Sequence, residues 1–224
     1  MLKLITQNLL TVVVIGLLLF VPAGTLVWPQ AWTFLALFFF CGHAIGYWLL
    51  KTNPGFLAER LKSPLRGNHT PRDQMVTALL YLALCVWVVC MALDARRFAW
   101  SSVPSWAEAI GGVLIVGTFY VWSRILRENS FAVTSVRLQP ERGQAVITTG
   151  PYAIVRHPMY AAAAGCFIGM PLLLGSLWGL LGIVAFMPLL ALRALSEEAI
   201  MMDGLDGYRE YAATVRFRLM PGLW

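Results

Sequence analysis

The sequence predicts an all-α integral membrane protein, and two observations lead to that fold class. Of the 224 residues, 59% are hydrophobic and 12% are charged, and the mean hydropathy is +0.70. A soluble domain is about half apolar and about a quarter charged. The apolar residues also form long uncharged runs, close to the roughly 20 residues that a membrane-spanning helix needs. We therefore expect a single domain over residues 1–224, with about six membrane-embedded helices.

Four uncharged runs occupy the N-terminal helices of the domain, residues 1–123. The runs cover residues 5–30, 31–50, 74–93 and 109–123. The first run contains a break at Pro22-Ala23-Gly24, because proline and glycine favour helix ends and turns. No small-residue cleavage site follows this run, so we interpret it as a membrane helix and not as a signal peptide.

The fifth run, residues 159–192, is too long for one membrane helix. It holds 34 uncharged residues, which as a single helix would be about 51 Å long, against a hydrocarbon core of about 30 Å. The run must therefore fold back, and Pro171 and Gly175-Ser176 are the natural place for the turn. We expect the last two helices to form a short helical hairpin, with both chain termini on the same side of the membrane.

The basic residues predict the orientation. The formal net charge is +6, and fifteen of the seventeen Lys and Arg residues fall on one side of the predicted helices, with only Arg96 and Arg97 on the other. Because Lys and Arg concentrate in cytoplasmic segments, we expect both termini and the loop 124–157 to face the cytoplasm. The basic residues border apolar runs, so we assign them to membrane lipids and expect no nucleic-acid partner.

Several classes of site are excluded or disfavoured. Cys41, Cys85, Cys90 and Cys166 lie in apolar runs without metal-ligand spacing, so we expect neither a disulfide framework nor a metal site. The helices carry no charged residue near their centres and the two halves show no obvious repeat, which disfavours an ion-coupled transporter.

A first polar cluster lies where the fifth run begins. Gly150-Pro151 indicates a turn, and Pro158 suits the first turn of a helix. Arg156 and His157 then lie at a helix N-terminus, where free backbone N–H groups favour an anion. The alternative is that they anchor the chain at the membrane surface, with Tyr152 and Tyr160 as interfacial aromatic residues.

A second polar cluster follows the hairpin. Arg193 and Glu197 are spaced i,i+4 on one helix face, and Glu198 provides a second carboxylate. One interpretation is that these charged residues only form the solvated end of a helix. Because the hairpin brings its two ends together, we instead expect Arg156, His157, Arg193 and Glu197 to face one pocket.

These motifs resemble the isoprenylcysteine carboxyl methyltransferase and phospholipid methyltransferase superfamily. The residues that carry the resemblance are Gly150-Pro151-Tyr152, Arg156-His157-Pro158-Met159-Tyr160, Glu197-Glu198, Tyr208-Arg209-Glu210-Tyr211 and Val215-Arg216-Phe217-Arg218-Leu219-Met220-Pro221. Residues 53–60 show a weaker similarity to bacterial members. The resemblance implies a multi-pass protein of a bacterial inner membrane, with a cofactor-binding catalytic region over residues 124–224.

The resemblance also implies a cofactor and a site. S-adenosylmethionine, leaving as S-adenosylhomocysteine, would bind on the cytoplasmic side between the hairpin and the C-terminal segment. The implied cofactor contacts are Gln144, Ala145, Val146, Ile147, Tyr152, His157, Pro158, Met159, Tyr160 and Glu197. Arg193 would lie on the substrate side, and the separate roles of Glu197 and Glu198 stay open.

The implied reaction is methyl transfer to a lipid-like or prenylated acceptor that arrives from the bilayer. A carboxylate acceptor, as in isoprenylcysteine methylation, needs no general base, whereas an amine or hydroxyl would need His157 or Glu198 to remove a proton. The alternative is an NADPH-dependent sterol or lipid reductase, although the sequence shows no glycine-rich phosphate loop. A non-catalytic membrane adaptor would explain the helices but not the two polar clusters.

Overall fold

The computed structural model describes residues 1–62, 71–133 and 137–224, and it describes no side chains for residues 71–73. The described residues form helices and connecting turns without a β-strand, which confirms the all-α prediction. The α-helices are α1 (Leu2–Ala23), α2 (Pro29–Thr52), α3 (Pro54–Arg60), α4 (Pro71–Ala92), α5 (Ser105–Glu128), α6 (Pro158–Leu174), α7 (Gly182–Gly204) and α8 (Tyr208–Thr214). Arg66 and the side chain of Arg72, two of the fifteen basic residues counted above, lie outside this description.

The described chain contains five segments that are long and apolar enough to cross a membrane. They are Leu2–Ala23, Pro29–Thr52, Gln74–Arg97, Ser105–Glu128 and Trp178–Gly204. The sixth membrane helix expected from the sequence corresponds to α6, which is apolar but has only 17 residues. The prediction of an integral membrane architecture is thus supported, with five full-length spans and one shorter apolar helix.

The expected boundary between the first two helices is wrong by a few residues. The break lies where predicted, because α1 ends at Ala23 and Gly24 takes the left-handed conformation with φ 70°. Pro29 and Gln30, which the first uncharged run included, instead begin α2. Pro29 fits this place because a proline in the first helical turn lacks only an N–H that has no partner there.

The helical hairpin turns at the predicted Gly175-Ser176. Gly175 ends α6 with φ 85°, a conformation that glycine adopts without strain, and its N–H donates to the carbonyls of Pro171 and Leu172. Pro171 does not break the helix but lies in the last turn of α6. The second arm is longer than expected, because α7 continues to Gly204 and carries Arg193, Glu197 and Glu198 on one helix.

Two glycines let α5 and α6 approach closely. A Cβ atom added at Gly111 would lie 2.5 Å from the carbonyl oxygen of Gly169, and one added at Gly169 would lie 2.7 Å from the carbonyl oxygen of Gly111. No other residue type fits such a backbone contact. Below it, Thr118 donates to the carbonyl of Ala162 at 3.3 Å, which joins the two helices again.

A buried carboxylate fixes α4 to the hairpin turn. Asp94, in the π-helical turn after α4, is 1% exposed and accepts hydrogen bonds from the hydroxyls of Ser176 at 2.6 Å and Ser101 at 2.7 Å. The N–H of Trp178 is 3.4 Å from the same carboxylate. One side chain thus joins α4, the linker before α5 and the α6–α7 turn.

Both chain termini lie at the opposite end of the bundle. Leu4 of α1 packs in one cluster with Leu126 of α5 and Met159 of α6. At the same end, the N–H of His157 donates to the carbonyl of Arg218 at 2.9 Å. The start of α6, the end of α7 and the C-terminal segment therefore meet where the polar residues concentrate.

Candidate active site

A cavity of about 290 Å³ lies at this end of the bundle, enclosed by segments that are distant in the sequence. The structure brings together around it all of the residues expected to contact the cofactor, together with Arg156 and Arg193. The predicted residues that line it are Gln144, Ala145, Val146, Ile147, Tyr152, Arg156, His157, Pro158, Met159, Tyr160, Arg193 and Glu197. Glu198 is not among the lining residues.

Glu197 lies in a network of polar side chains at the cavity wall. The Tyr160 hydroxyl donates a hydrogen bond to the Glu197 carboxylate and accepts one from the Arg193 Nε at 2.9 Å. The Arg193 Nε is also 3.5 Å from Glu197 Oε1, and the Arg193 Nη1 donates to the Thr77 hydroxyl of α4 at 3.2 Å. The i,i+4 pair predicted on α7 is therefore held from two sides, by α6 and by α4.

Glu198, the next residue of α7, is buried outside the cavity lining and is 4% exposed. Its carboxylate accepts hydrogen bonds from the Arg156 Nε at 2.6 Å and from the Arg218 Nε at 2.9 Å. Arg156 completes its contacts by donating from Nη1 to the carbonyls of Ala212 and Val215, at 3.1 and 2.8 Å. Glu198 therefore joins the start of α6 to the C-terminal segment.

The backbone N–H groups of Arg156 and His157, expected to be free at the start of α6, are not free. The N–H of Arg156 donates to the carbonyl of Phe217 at 3.0 Å, and that of His157 donates to the carbonyl of Arg218. Proline 158 has no N–H to offer. The C-terminal segment thus occupies the donors that would have bound an anion, and the Arg156 guanidinium is committed to Glu198.

His157 lies between the two carboxylates. Its Nε2 is 3.2 Å from Glu198 and its Nδ1 is 3.5 Å from Glu197, and its ring stacks on Tyr160 with centroids 5.7 Å apart. Burial by itself lowers the pKa of His157, but the hydrogen bonds and charges of Glu197 and Glu198 outweigh burial and raise it. The two carboxylates therefore favour the imidazolium form of His157.

The facing wall is built around Tyr152. Asn129, just after α5, donates to the Tyr152 hydroxyl at 2.9 Å, and the Tyr211 hydroxyl donates to the Tyr152 carbonyl at 2.7 Å. Burial raises the pKa of Tyr152 to about 12, so the hydroxyl stays protonated at neutral pH. Tyr152 thus offers the cavity a fixed ring and a neutral hydroxyl.

The loop segment 144–147 forms part of the wall because its first side chain is anchored. The Gln144 Oε1 accepts from the N–H of Gln139 at 2.7 Å, and the fully buried Gln139 donates from its own amide to the carbonyl of Phe131 at 2.9 Å. The apolar side chains of Ala145, Val146 and Ile147 follow along the cavity.

Several lining residues were missed from the sequence. The N-terminal part of the chain contributes Arg60, Leu80 and Tyr81, and later segments add Asn129, Phe131, Ile200, Met201, Leu205, Tyr208 and Tyr211. The tyrosines 208 and 211 belong to a motif that carried the resemblance, so a signal for them was present. For Leu80 and Tyr81 there was none, because an apolar residue on a membrane helix gives no indication of which face meets a cavity.

Tyr81 also shows where the cavity nears the outer surface. It lines the cavity from α4 and is nevertheless 47% exposed. On α7, Leu192 and Leu195 are 48% and 42% exposed next to Arg193. The cavity wall between α4 and α7 therefore borders the apolar outside of the bundle.

Comparison with known proteins finds a similarity to one protein family. Residues 106–205 match the phospholipid methyltransferase family. The matched segment contains α5, α6 and α7 and includes Arg156, Arg193 and Glu197. This match confirms the resemblance predicted from the motifs. The chain has no match among the curated proteins.

Proposed function

Because residues 106–205 are a phospholipid methyltransferase family domain within a helical membrane protein, we propose that this protein transfers a methyl group from S-adenosylmethionine to a lipid-like acceptor. The observation that carries the proposal is the cavity in which the Glu197 carboxylate, two tyrosine rings and apolar side chains meet. The methyl donor would supply an electrophilic methyl group on a cationic sulfonium.

The lining chemistry fits such a ligand. The cavity volume of about 290 Å³ is close to the lower limit of ligand sites, which are about 300–1,000 Å³ and mostly apolar with a few polar groups. The rings of Tyr152 and Tyr160 can stabilise a cation. The side chains of residues 145–147, Met201 and Leu205 offer apolar contacts for the adenine ring of the methyl donor.

The residues present favour an acceptor that needs no proton removal. Of the two candidate bases, Glu198 lies outside the cavity lining and is bound by Arg156 and Arg218. His157 is stabilised as an imidazolium by the two glutamates. Methyl transfer to a carboxylate oxygen requires alignment and exclusion of water more than a base, and Arg193 is the side chain that would orient the carboxylate.

The acceptor would reach the cavity from the lipid side. Tyr81 belongs both to the cavity lining and to the exposed surface of α4, and the neighbouring surface of α7 is apolar. A prenyl or acyl chain can remain in the bilayer at this place while its polar end enters between α4 and α7. The concentration of Lys and Arg at this end of the bundle supports a cytoplasmic location for the cavity, which in a bacterial inner membrane would give it access to the soluble methyl donor.

The alternative reductase would need to bind the phosphates of a dinucleotide. Among the described side chains, two arginines that line the cavity are held by carboxylates: Arg156 by Glu198 at 2.6 Å, and Arg137 by Glu59 at 2.8 Å. A diphosphate would have to break these pairs. The arrangement therefore favours a methyl donor over NADPH.

The test is calorimetric titration of the protein in nanodiscs with S-adenosylhomocysteine, with NADPH as the control ligand. We expect saturable binding of S-adenosylhomocysteine and none of NADPH. Binding of NADPH alone would replace the proposal with the reductase. Binding of neither ligand by a folded sample would leave a non-catalytic role for the domain.

A further inference from the structure

The short helix α3 sends an arginine into the cavity from a part of the chain outside the family domain. Asn53 begins this helix by accepting a hydrogen bond from the N–H of Phe56 at 3.0 Å, and Pro54 occupies its first turn. Phe56 is 1% exposed and anchors the helix. Arg60 follows Phe56 by four residues, on the same helix face, and lines the cavity.

The position of Arg60 is fixed by two contacts. Its Nη1 donates to the carbonyl of Ala132, in the segment after α5. Its guanidinium carbon is 5.9 Å from the centre of the Phe56 ring, within the range of a cation–π contact. Arg142 lies 5.8 Å from the same ring and donates to the carbonyl of Ser130 at 3.0 Å, so α3 and the loop are held together.

Arg60 differs from the other cavity arginines in its charge partners. Arg137, Arg156 and Arg193 each form an ion pair with a glutamate, whereas Arg60 forms none with any described side chain. Burial lowers the pKa of the Arg60 guanidinium, with a small opposing effect of Tyr152. A desolvated cation without a counter-charge is unfavourable until an anion joins it.

Arg60 and Glu197 are the charged groups of the cavity that lie near Tyr152. Arg60 interacts electrostatically with Tyr152, and Tyr152 also interacts with Glu197. Arg60 and Glu197 both line the cavity near Tyr152, and Glu197 is balanced by Arg193 and His157, whereas no described glutamate balances Arg60. A ligand with an anionic group complements this unbalanced positive charge.

We propose that Arg60 binds the anionic group of the cavity ligand, namely the amino-acid carboxylate of the methyl donor. The proposal rests on the proposed function, and it assigns to α3 a binding role beyond that of a connector. A guanidinium presents five N–H donors in a plane, of which one is used by Ala132, so the remaining donors can form the paired contact that carboxylates favour.

The test compares two ligands on Arg60→Gln, Arg60→Lys and the wild type. S-adenosylhomocysteine carries the carboxylate, whereas 5′-methylthioadenosine has the same nucleoside without the amino-acid group. Because a hydrogen bond between charged groups contributes about 1.5–3 kcal/mol, we expect Arg60→Gln to weaken S-adenosylhomocysteine binding by at least about tenfold. Binding of 5′-methylthioadenosine should change less than about twofold, which also shows that the cavity is intact.

A matched control is available on the same helix end. Lys62→Gln removes a positive charge that is paired with Glu59 and is 60% exposed, outside the cavity. It should leave both affinities unchanged, since an exposed pair contributes little. Arg60→Lys keeps the charge but not the planar pair of donors, so it should fall between Arg60→Gln and the wild type.

The outcomes separate this assignment from the proposed function. Failure of the wild type to bind S-adenosylhomocysteine overturns both. Wild-type binding that Arg60→Gln leaves unchanged overturns the assignment to the donor. In that case the affinities of the wild type and Arg60→Gln for N-acetyl-S-farnesylcysteine and for its methyl ester are compared. If Arg60→Gln weakens binding of the acid but not of the ester, Arg60 binds the carboxylate of an acidic acceptor. If Arg60→Gln binds both as tightly as the wild type does, Arg60 has no role in ligand binding.

Discussion

The substitution Glu198→Gln should destabilise the protein by detaching the C-terminal segment from the start of α6. Glu198 is 4% exposed and accepts bonds from Arg156 and Arg218. Glutamine keeps the shape but removes the charge, which leaves the buried Arg156 guanidinium with only neutral carbonyl partners. Breaking a buried ion pair costs about 3–5 kcal/mol, and Arg218 adds little because its side chain is 30% exposed.

The assay is thermal unfolding in detergent together with hydrogen exchange. For a chain of this length, about 3–5 kcal/mol corresponds to a fall in Tm of about 6–20 °C. The amides of Arg156 and His157, which donate to Phe217 and Arg218, should lose protection selectively. Glu210→Gln on α8 is the control, because Glu210 is exposed and an exposed change stays within about 0.5 kcal/mol. A wild-type Tm with unchanged exchange in Glu198→Gln would refute this structural role.

Three further predictions concern the cavity. Glu197→Gln should weaken S-adenosylhomocysteine binding by at least about tenfold and lower the Tm less than Glu198→Gln does; an unchanged affinity would remove Glu197 from the binding site. Arg193→Ala should preserve that affinity but lower turnover of N-acetyl-S-farnesylcysteine by about 100-fold, since it misplaces the acceptor; unchanged turnover would make Arg193 a structural residue. His157 has a raised pKa, so its stabilisation is complete below its ordinary pKa of 6.5 and is lost as pH rises through the higher folded-state pKa. The Tm of the wild type should therefore fall over that range relative to His157→Gln, and parallel Tm curves would contradict it.

The hairpin and the two polar clusters were predictable because each depends on local arithmetic. A 34-residue uncharged run cannot cross once, and glycine at position 175 marks the place where the chain reverses. Once the hairpin is accepted, the residues at its two ends must be neighbours. Arg193 and Glu197 therefore fall next to Tyr160 without any knowledge of the rest of the fold.

The distinction between Glu197 and Glu198 was not predictable. Adjacent helical residues point about 100° apart, so the two carboxylates have different surroundings, but the sequence does not indicate which of them lines the cavity. Glu198 is the one that Arg156 and Arg218 bind, and this contact depends on the C-terminal segment packing against the start of α6. The same segment occupies the N–H groups of residues 156 and 157, which the isolated helix start would have left open.

Arg60 was missed for a related reason. It looked like one of many basic residues that follow an apolar run, and such residues ordinarily face lipid headgroups. Its place in the cavity depends on Asn53 starting a new helix directly after α2, which turns the chain back under the bundle. A long-range contact with Ala132 then fixes the side chain.

The geometry of the site also depends on contacts made at the far end of the membrane. Helix α4 provides Thr77 to Arg193 at the cavity, and the turn that ends it provides Asp94 to the hairpin at the other end. Between these points, the Trp87 indole donates to the carbonyl of Gly179 at 2.7 Å. Helix α4 is therefore joined to the α6–α7 turn at one end of the bundle and to α7 at the cavity, and these contacts hold Thr77 in place beside Arg193.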